Sequence, residues 1–178
     1  MKIRNIALLL GGAVALMFGM VACGDDDDDG GNVQPSATAT SATTPSATSS
    51  STDAVKSALL ESINEEYKAH ATYQAVIDKL GNVAPFSNIV VSEQSHIDAW
   101  KTLLTKYEIA IPDDPFLGKV TAPATKAEAC TAGVAAEKED VALYDRLMAT
   151  VSEPDILAVM QQQRKVSQEN HLPAFERC

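Results

Sequence analysis

Basic and aromatic residues are scarce in this chain of 178 residues. Only 14 Lys and Arg stand against 24 Asp and Glu, so the formal net charge is −10. This balance argues against nucleic acid as a partner, because binding it requires a concentrated positive surface. Aromatic residues make up 5%, yet the hydrophobic fraction of 46% is large enough for a packed core. The length is that of one folded domain rather than two.

Several familiar signatures of catalysis are also missing. The sequence contains no glycine-rich phosphate loop, no Cys-x-x-Cys and no Gly-x-Ser-x-Gly turn, which argues against the classes of enzyme that these motifs define. Cysteine occurs only at positions 23, 130 and 178. Cys130 with a distant histidine could indicate a thiol nucleophile, but without a defined spacing the pattern is too weak to support one.

The first 22 residues have the pattern of a secretory signal. Lys2 and Arg4 form a short positive start, and residues 6–22 carry no charge. Such a run is typical of a signal peptide and slightly short for a membrane span of about 20 residues. It ends in Met20-Val21-Ala22-Cys23, which resembles the lipobox of bacterial lipoproteins, whose cysteine becomes the lipidated first residue. Cleavage before Cys23 and retention as an uncleaved anchor would both place the rest of the chain in the cell envelope, outside the cytoplasm and tethered to a membrane.

Residues 23–52 are expected to form a disordered tether. Asp25 to Asp29 are five consecutive carboxylates, followed by two glycines and a stretch of mainly Ser, Thr, Ala and Pro. Because this segment has little apolar area to bury, nothing offsets the entropy lost on ordering it. The aspartates could form a calcium site, but adjacent like charges repel and no loop geometry brings them together. We interpret them as a solvated spacer.

Residues 53–178 are predicted to form four helices and no sheet, apart from a short alternating segment at 108–111. Caps, breakers and prolines define the boundaries. The helices are expected from Thr52 or Asp53 to Gly81, from Pro85 to about Tyr107, from Thr125 to about Thr150, and from Ser152 onward. The third opens with Thr125-Lys126-Ala127-Glu128, the pattern of a capping box.

The connections between these helices predict the topology. Short connections of about three to five residues make the first two helices antiparallel neighbours, and likewise the last two. The 16 residues from 109 to 124 can cross the whole bundle, since an extended chain covers about 3.3 Å per residue. Two antiparallel hairpins joined by one crossover are the arrangement of a ferritin-like four-helix bundle. This all-α fold is our prediction for the domain.

Each predicted helix carries a stripe of core-facing residues, spaced alternately by four and three. In the first three helices the stripe is apolar except near its middle, where it carries Glu66, Glu93 or Glu137. The second helix adds His96 one turn after its glutamate. The fourth helix is less regular, and its stripe comprises Leu157, Met160, Arg164, Ser167 and His171.

Three carboxylates in the middle of one bundle cannot stay ionised and unpaired, because desolvation costs several kcal/mol for each. Two cations bound by carboxylate and imidazole would resolve this, and that is the ligand set of di-iron and di-manganese bundles. The alternative is a buried polar network without metal, in which the glutamates are protonated or paired with Arg164 or an imidazolium. Three mid-helix glutamates together with Glu93-x-x-His96 favour the metal.

Two blocks, Glu66-x-x-Ala69-x-x-x-Tyr73 and Glu93-x-x-His96, resemble the first two helices of the ferritin-like superfamily, rubrerythrins included. From about residue 56 to 176 the chain also resembles a bacterial ferritin-like family known only as a domain of unknown function. The residues that carry this resemblance are Glu65-Glu66, Tyr73, Lys79, Gly81, Phe86, Asn88-Ile89, Ser92 to Asp98, Leu103 to Tyr107, Glu137-x-x-Asp140-Val141 and Asn170 to Phe175. The resemblance implies a four-helix domain with a di-metal centre, without an established reaction.

The resemblance implies five metal ligands that would hold two iron or manganese ions: Glu66, Glu93, His96, Glu137 and His171. The superfamily usually has a second Glu-x-x-His on the fourth helix. Here Gln168 stands three residues before His171, and Pro173 falls where that helix should still run. The second metal position therefore stays open. His70, one turn after Glu66, is either a replacement ligand or, as we expect, a packed residue near the ligands.

The expected function is a membrane-tethered ferritin-like domain that binds metal and has redox capacity toward ferrous iron, oxygen or peroxide. Whether the domain is an enzyme stays open at this point. Tyr73 and Tyr144 each lie seven residues after a predicted ligand; they could hydrogen-bond near the metals, carry an electron or simply fill the core. The alternatives are a non-catalytic envelope module that binds metal, and a metal-free interaction domain. Metal ions and the membrane are the partners that the sequence predicts.

With Cys23 assigned to the lipid, Cys130 and Cys178 remain in an oxidising compartment. Residues at one height of an antiparallel hairpin have residue numbers with a constant sum. That sum is the same for the two cysteines as for the predicted ligands Glu137 and His171. We therefore predict a disulfide that pins the end of the fourth helix; the alternative is a free Cys130 and a frayed terminus.

Overall fold

Residues 47–178 are described by the structure, a computed structural model, and most of them are helical apart from one long connection between Lys106 and Lys126. Four long helices are present: α1 Ala47–Leu80, α2 Phe86–Lys106, α3 Lys126–Leu147 and α4 Pro154–Val166. A π-helical turn at Ser167–His171 and a short helix α5 at Leu172–Glu176 continue α4. No strand occurs within 47–178, including the alternating segment 108–111, so the predicted all-α class is confirmed. No helix in this range has the length and apolar character needed to cross a membrane.

Helix α1 begins at Ala47, earlier than the expected start at Thr52 or Asp53. The residues from 47 to 52 include neither Pro nor Gly, so nothing in them stops the helix from extending. Its C-terminal end lies where the sequence predicted it. Gly81 has a positive φ of 88°, and its N–H donates to Ile77 O at 2.8 Å, as in a glycine C-cap. The predicted signal peptide, Cys23 and most of the predicted tether lie outside the described residues.

The start of α3 is the capping box that the sequence predicted. The Thr125 hydroxyl accepts the backbone N–H of Glu128 at 3.2 Å, and the Glu128 carboxylate accepts the N–H of Thr125 at 3.1 Å. These two bonds satisfy donors that a helix N-terminus otherwise leaves without partners. They fix the point at which the chain enters the second hairpin.

The helices pair as two antiparallel hairpins. Tyr73 of α1 packs against Phe86 of α2, and ten residues further along α2, His96 approaches Glu66 of α1, so the two helices run in opposite directions. Helices α3 and α4 pair in the same way, and α1 also packs against α3 while α2 packs against α4. The long connection between the hairpins lies along α1, where Tyr67 donates to Pro112 O at 3.2 Å.

Two apolar clusters fill the interior and leave a polar layer between them. One cluster is centred on Trp100, which is fully buried. The other contains the rings of Tyr73, Phe86 and Phe175, whose centroids lie 5.1–5.9 Å apart. Along α1, Glu66 lies between residues of the first cluster and residues of the second. The polar residues of the other helices meet it at this level, in a region closed off by apolar packing at both ends.

Candidate metal centre

Five buried side chains meet in the polar layer and form two groups that share one residue. Glu66, Glu93 and His96 form the first group, and Glu93, Glu137 and His171 form the second. Within each group, one potential ligand atom from every residue lies within 4.8 Å of the others. All five side chains belong to residues that are only 2–7% exposed. The structure therefore brings together the whole ligand set that the sequence motifs implied.

Glu93 is the residue that connects the two groups. Its Oε2 atom lies 3.0 Å from Nδ1 of His96, and its Oε1 atom lies 3.1 Å from Nδ1 of His171. The first contact follows from the sequence spacing, because residues three apart share a face of an α-helix. The second contact depends on the packing of α2 against the end of α4. One carboxylate thus presents one oxygen to each group.

The two outer glutamates complete the groups from α1 and α3. Glu66 Oε2 lies 3.2 Å from His96 Nδ1, and Glu137 Oε2 lies 3.4 Å from His171 Nδ1. The His171 ring is held from its other side, where Nε2 lies 3.0 Å from the hydroxyl of Ser92. Ser92 therefore fixes which ring nitrogen faces the carboxylates, an orienting role common among the neighbours of metal-binding histidines.

Each outer glutamate also accepts a tyrosine hydroxyl from the opposite helix. Tyr73 of α1 donates to Glu137 Oε1 at 2.6 Å, and Tyr144 of α3 donates to Glu66 Oε1. The Tyr144 hydroxyl in turn accepts the indole N–H of Trp100 at 3.2 Å. Both tyrosines are at most 1% exposed. They hold one oxygen of each outer carboxylate and leave the other oxygen facing a histidine.

The fourth helix differs from its predicted stripe. Its buried polar residues are Gln163, Ser167 and His171, each four positions apart, and the π-helical turn keeps the last two on the inner face ahead of Pro173. Arg164 does not reach the buried carboxylates. Its guanidinium binds exposed Asp145 at 2.5 and 2.9 Å, so the predicted inward position of this residue was wrong.

Two further candidates from the sequence lie outside both groups. Gln168 is exposed and accepts a hydrogen bond from Arg164 at 2.6 Å, so it does not stand in for the missing glutamate of the fourth helix. His70 lines a surface groove beside Tyr67 and Gln94 rather than the polar layer. Neither residue belongs to the clusters that could hold a metal ion among residues 47–178.

Burial and neighbouring charges determine the protonation of the histidines and glutamates. Burial disfavours an imidazolium, but Glu66 and Glu93 outweigh this effect and raise the pKa of His96 to about 10. Glu137 and Glu93 likewise outweigh burial at His171 and raise its pKa to about 9. Burial also acts against the charged form of Glu93, yet the His171 and His96 rings lower its pKa to about 2. At Glu66 burial dominates, and the pKa lies well above its usual value.

The pKa shifts describe a protein that balances its buried charges with protons. Two imidazoliums face the ionised Glu93, and burial disfavours the charged form of Glu66 by raising its pKa. A divalent cation needs neutral imidazole and ionised carboxylate, so it must displace these protons. The network therefore allows a metal-free fold and a metal-bound fold from the same residues.

The residues fit a divalent metal by a direct structural criterion. His171 Nδ1 is a buried atom without a hydrogen-bond partner of suitable geometry, although carboxylate oxygens surround it. A buried polar atom in this state costs free energy unless a ligand satisfies it. Two imidazoles and three carboxylates also suit iron or manganese. We conclude that the groups can hold metal ions, with Glu93 between them.

Four polar residues next to the ligands were not assigned a role from the sequence: Ser92, Asp140, Gln163 and Ser167. Asp140 is 8% exposed and accepts the Ser167 hydroxyl at 2.7 Å. Gln163 donates to the backbone oxygen of His96 at 3.2 Å. A signal for Asp140 was present, since Glu137-x-x-Asp140 repeats the spacing of Glu93-x-x-His96. Ser167 belonged to the predicted core-facing stripe and Ser92 to a block that carries the family resemblance, whereas Gln163 lacked a signal because glutamine is common on solvated helix faces.

Cys130 and Cys178 lie at disulfide distance, as the hairpin geometry predicted. Their Cα atoms are 5.9 Å apart, within the usual range for a bonded pair. The pair joins the first turns of α3 to Cys178, two residues after the end of α5. It therefore holds the C-terminal segment against α3, two helical turns from the level of Glu137.

The chain belongs to the family described as Uncharacterized protein domain (DUF2202), whose model matches residues 55–178. Among solved structures, a hypothetical protein from Methanococcus jannaschii is similar over 68% of this chain and 77% of its own, with 29% sequence identity and a TM-score of 0.61. No curated protein matches the chain. These comparisons confirm the resemblance to a domain of unknown function. Neither description names an activity, so function must be argued from the site.

Proposed function

We propose that the folded part of this protein is a ferritin-like bundle that binds two iron or manganese ions and uses them in redox chemistry. The pairing of two antiparallel hairpins through one crossover supports the ferritin-like assignment. The observation that carries the metal assignment is the position of Glu93, which presents one oxygen to each histidine. A carboxylate so placed can serve two cations at once.

The protein's own residues would hold and orient the metal ligands. Glu66 and His96 would hold one cation and Glu137 and His171 the other, while Glu93 would contribute to both groups. Tyr73 and Tyr144 keep the outer carboxylates in position through their hydroxyl groups. A pair of iron or manganese ions in this place supplies reversible one-electron steps toward oxygen or peroxide.

Burial restricts the substrates that such a centre can use. The five ligand residues are 2–7% exposed, and apolar clusters close the layer at both ends. Small molecules such as oxygen or hydrogen peroxide can diffuse through a packed bundle, whereas burial of all five residues disfavours a large organic substrate. We therefore favour oxygen or peroxide reduction coupled to oxidation of ferrous iron.

A second candidate function is non-catalytic metal binding, and the same burial favours it. A fully enclosed site suits metal that is held for stability or storage rather than turned over. A metal-free interaction domain that uses Arg164 to balance the buried carboxylates is not supported, because Arg164 binds Asp145 at the surface. A measurement of turnover decides between redox catalysis and non-catalytic metal binding.

The test measures metal content and turnover of the full chain after anaerobic loading with ferrous iron. We expect close to two ions per chain and consumption of oxygen or peroxide that depends on ferrous iron. Glu66→Ala should lose metal and turnover together. Glu65→Ala is the matched control, since Glu65 is the adjacent carboxylate and pairs with Lys68 instead.

Three results separate the possibilities. Metal without turnover above that of Glu66→Ala leaves the non-catalytic function. Metal content near zero in the unaltered chain removes both functions. Equal loss in the Glu65 and Glu66 variants would show that general damage, rather than loss of a ligand, explains the effect.

We also propose that the domain is held in the cell envelope by lipid on Cys23. The support is the uncharged run that ends in Met20-Val21-Ala22-Cys23 and the cysteine pair at disulfide distance, which suits an oxidising compartment. Mass spectrometry of the mature protein provides the test. An intact Met1 in the mature chain excludes the lipoprotein assignment.

A further inference from the structure

The ligands described so far do not balance the charge of two divalent cations. Glu66, Glu93 and Glu137 carry three negative charges when ionised, and neutral imidazoles add none. Two divalent cations bring four positive charges into a region of 2–7% exposure. An unpaired charge in such a region costs several kcal/mol. One more ionised carboxylate would balance this charge.

The position expected to supply that carboxylate is unsuitable. Gln168 carries no charge, lies at the surface and binds Arg164. On the inner face of the π-helical turn stands Ser167, which is 1% exposed. Ser167 does not offer a charge either, but its hydroxyl donates to Asp140 Oδ2 at 2.7 Å. The fourth helix thus contributes a contact to a carboxylate on α3.

Asp140 lies on α3 close to the height of the two groups. It lies three residues after Glu137 and four before Tyr144, so all three share one face of the helix. Glu137 belongs to the second group, and Tyr144 binds Glu66 of the first group. At 1.5 Å per residue, Asp140 is about 4.5 Å along the helix axis from Glu137. It therefore lies between the levels of the two groups.

Asp140 lies outside both groups of closely spaced ligand atoms, but two observations indicate that its carboxylate is available to the polar layer. Asp140 is 8% exposed, and its Oδ1 atom is buried without a hydrogen-bond partner. Because the Ser167 hydroxyl already binds Oδ2, Oδ1 is the oxygen that remains available to a ligand.

We propose that Asp140 is the fourth carboxylate of the metal centre and replaces the glutamate that the fourth helix lacks. This inference rests on the proposed two-metal function. Oδ1 would face the cations, while the Ser167 hydroxyl holds Oδ2. Four ionised carboxylates then balance two divalent cations with both histidines neutral. The proposal thus explains both why the fourth helix can lack a glutamate and why Asp140 is buried.

The test is Mn²⁺ binding to the full chain by titration calorimetry, with metal content by elemental analysis. Asp140→Asn keeps the shape and can still accept the Ser167 hydroxyl, but it removes the charge. We expect the second Mn²⁺ to bind at least about tenfold more weakly, or to be absent. Glu139→Gln is the matched control, because it removes the same charge one residue away, where Glu139 pairs with Lys68 at the surface. Circular dichroism melting checks that both variants fold.

The outcomes separate this inference from the function on which it rests. Two Mn²⁺ in the unaltered chain and in Glu139→Gln, with a weakened or lost second ion in Asp140→Asn, support Asp140 as a ligand. Two Mn²⁺ bound with unchanged affinity in Asp140→Asn overturn the inference and leave the metal centre standing. Fewer than two Mn²⁺ in the unaltered chain overturn both the two-metal function and the role of Asp140.

Discussion

Filling the metal centre is expected to release protons, and their number follows from the histidine environments. The pKa of His96 is about 10 and that of His171 about 9, so at about pH 8 roughly nine-tenths or more of each ring is protonated. Each ring must lose its proton to bind a cation. The expected release is about two protons per chain.

The contrast with ordinary histidines makes this a sharp test. Two rings with a pKa of about 6.5 would together release fewer than about 0.1 protons at pH 8. With the raised values, the logarithm of the overall binding constant should rise by about two for each pH unit near pH 8. The slope should flatten above about pH 10, where the metal-free rings are already neutral.

The assay is titration with Mn²⁺ at one pH in two buffers of different ionisation enthalpy. The dependence of the observed heat on the buffer gives the number of protons released. His96→Gln should lower that number by about one, whereas His70→Gln should leave it unchanged, because His70 lies outside both groups. Two Mn²⁺ bound with less than about one proton released would refute the reasoning, since the rings would then be neutral without metal.

The same pKa values predict how stability depends on pH. Raised histidine pKa values mean that the imidazoliums stabilise the metal-free fold fully below about pH 6.5, and that this contribution is lost as pH rises through 9 to 10. The lowered pKa of Glu93 contributes stability above about pH 4.5, which is lost as pH falls toward 2. The increase in Tm that saturating Mn²⁺ produces should therefore grow between about pH 6 and pH 9.

Two further changes test the packing that supports the site. A Cβ at Gly133 would lie 2.6 Å from Phe175 Cδ1, so Gly133→Ala should lower the free energy of unfolding by about 1–3 kcal/mol. Urea unfolding measures this loss, and adding Phe175→Leu should recover part of it; no coupling between the two changes would contradict the clash. Reducing the Cys130–Cys178 pair should cost about 2–4 kcal/mol for a separation of 48 residues. An unchanged urea midpoint, with both thiols shown to be free by titration, would contradict that role.

The helices and the meeting of the five buried Glu and His residues were predictable because the signals that define them are local. Capping residues, Gly81 and the prolines mark the ends of the helices, and loop lengths decide which neighbours are antiparallel. A single glutamate inside an apolar stripe, as at Glu66, is conspicuous at helical spacing. The cysteine pair could be predicted from the same hairpin geometry, since Cys130 and Cys178 lie as far from the ligands along α3 as along the fourth helix.

The rest of the site depends on packing that no local pattern records. If core-facing residues are spaced alternately by four and three positions, Val141 is predicted to belong to the stripe of α3. In the structure, Asp140 is more buried than Val141. On the fourth helix, the same spacing placed Arg164 inward, while Gln163 is the buried residue and Arg164 finds Asp145. The phase of that helix is decided by its neighbours and by the π-helical turn, both of which are tertiary effects.

The crossed tyrosines explain why α1 and α3 keep one register. Tyr73 lies seven residues after Glu66 but binds Glu137, and Tyr144 lies seven residues after Glu137 but binds Glu66. A shift of α3 by one turn would break both bonds and bury hydroxyl and carboxylate groups without partners, at about 1–3 kcal/mol for each. The arrangement makes α1 and α3 equivalent, each giving one glutamate and one tyrosine.

Helices α2 and α4 do not share this equivalence. Helix α2 supplies both a glutamate and a histidine to the layer, whereas the fourth helix supplies His171 but no carboxylate. Its inward position is occupied by Ser167, whose hydroxyl reaches across to Asp140. The charge missing from one helix is therefore present on its antiparallel neighbour, buried at the same level. A site that lost a carboxylate on one helix without this exchange would carry an unbalanced positive charge in its metal-bound form, at a cost of several kcal/mol.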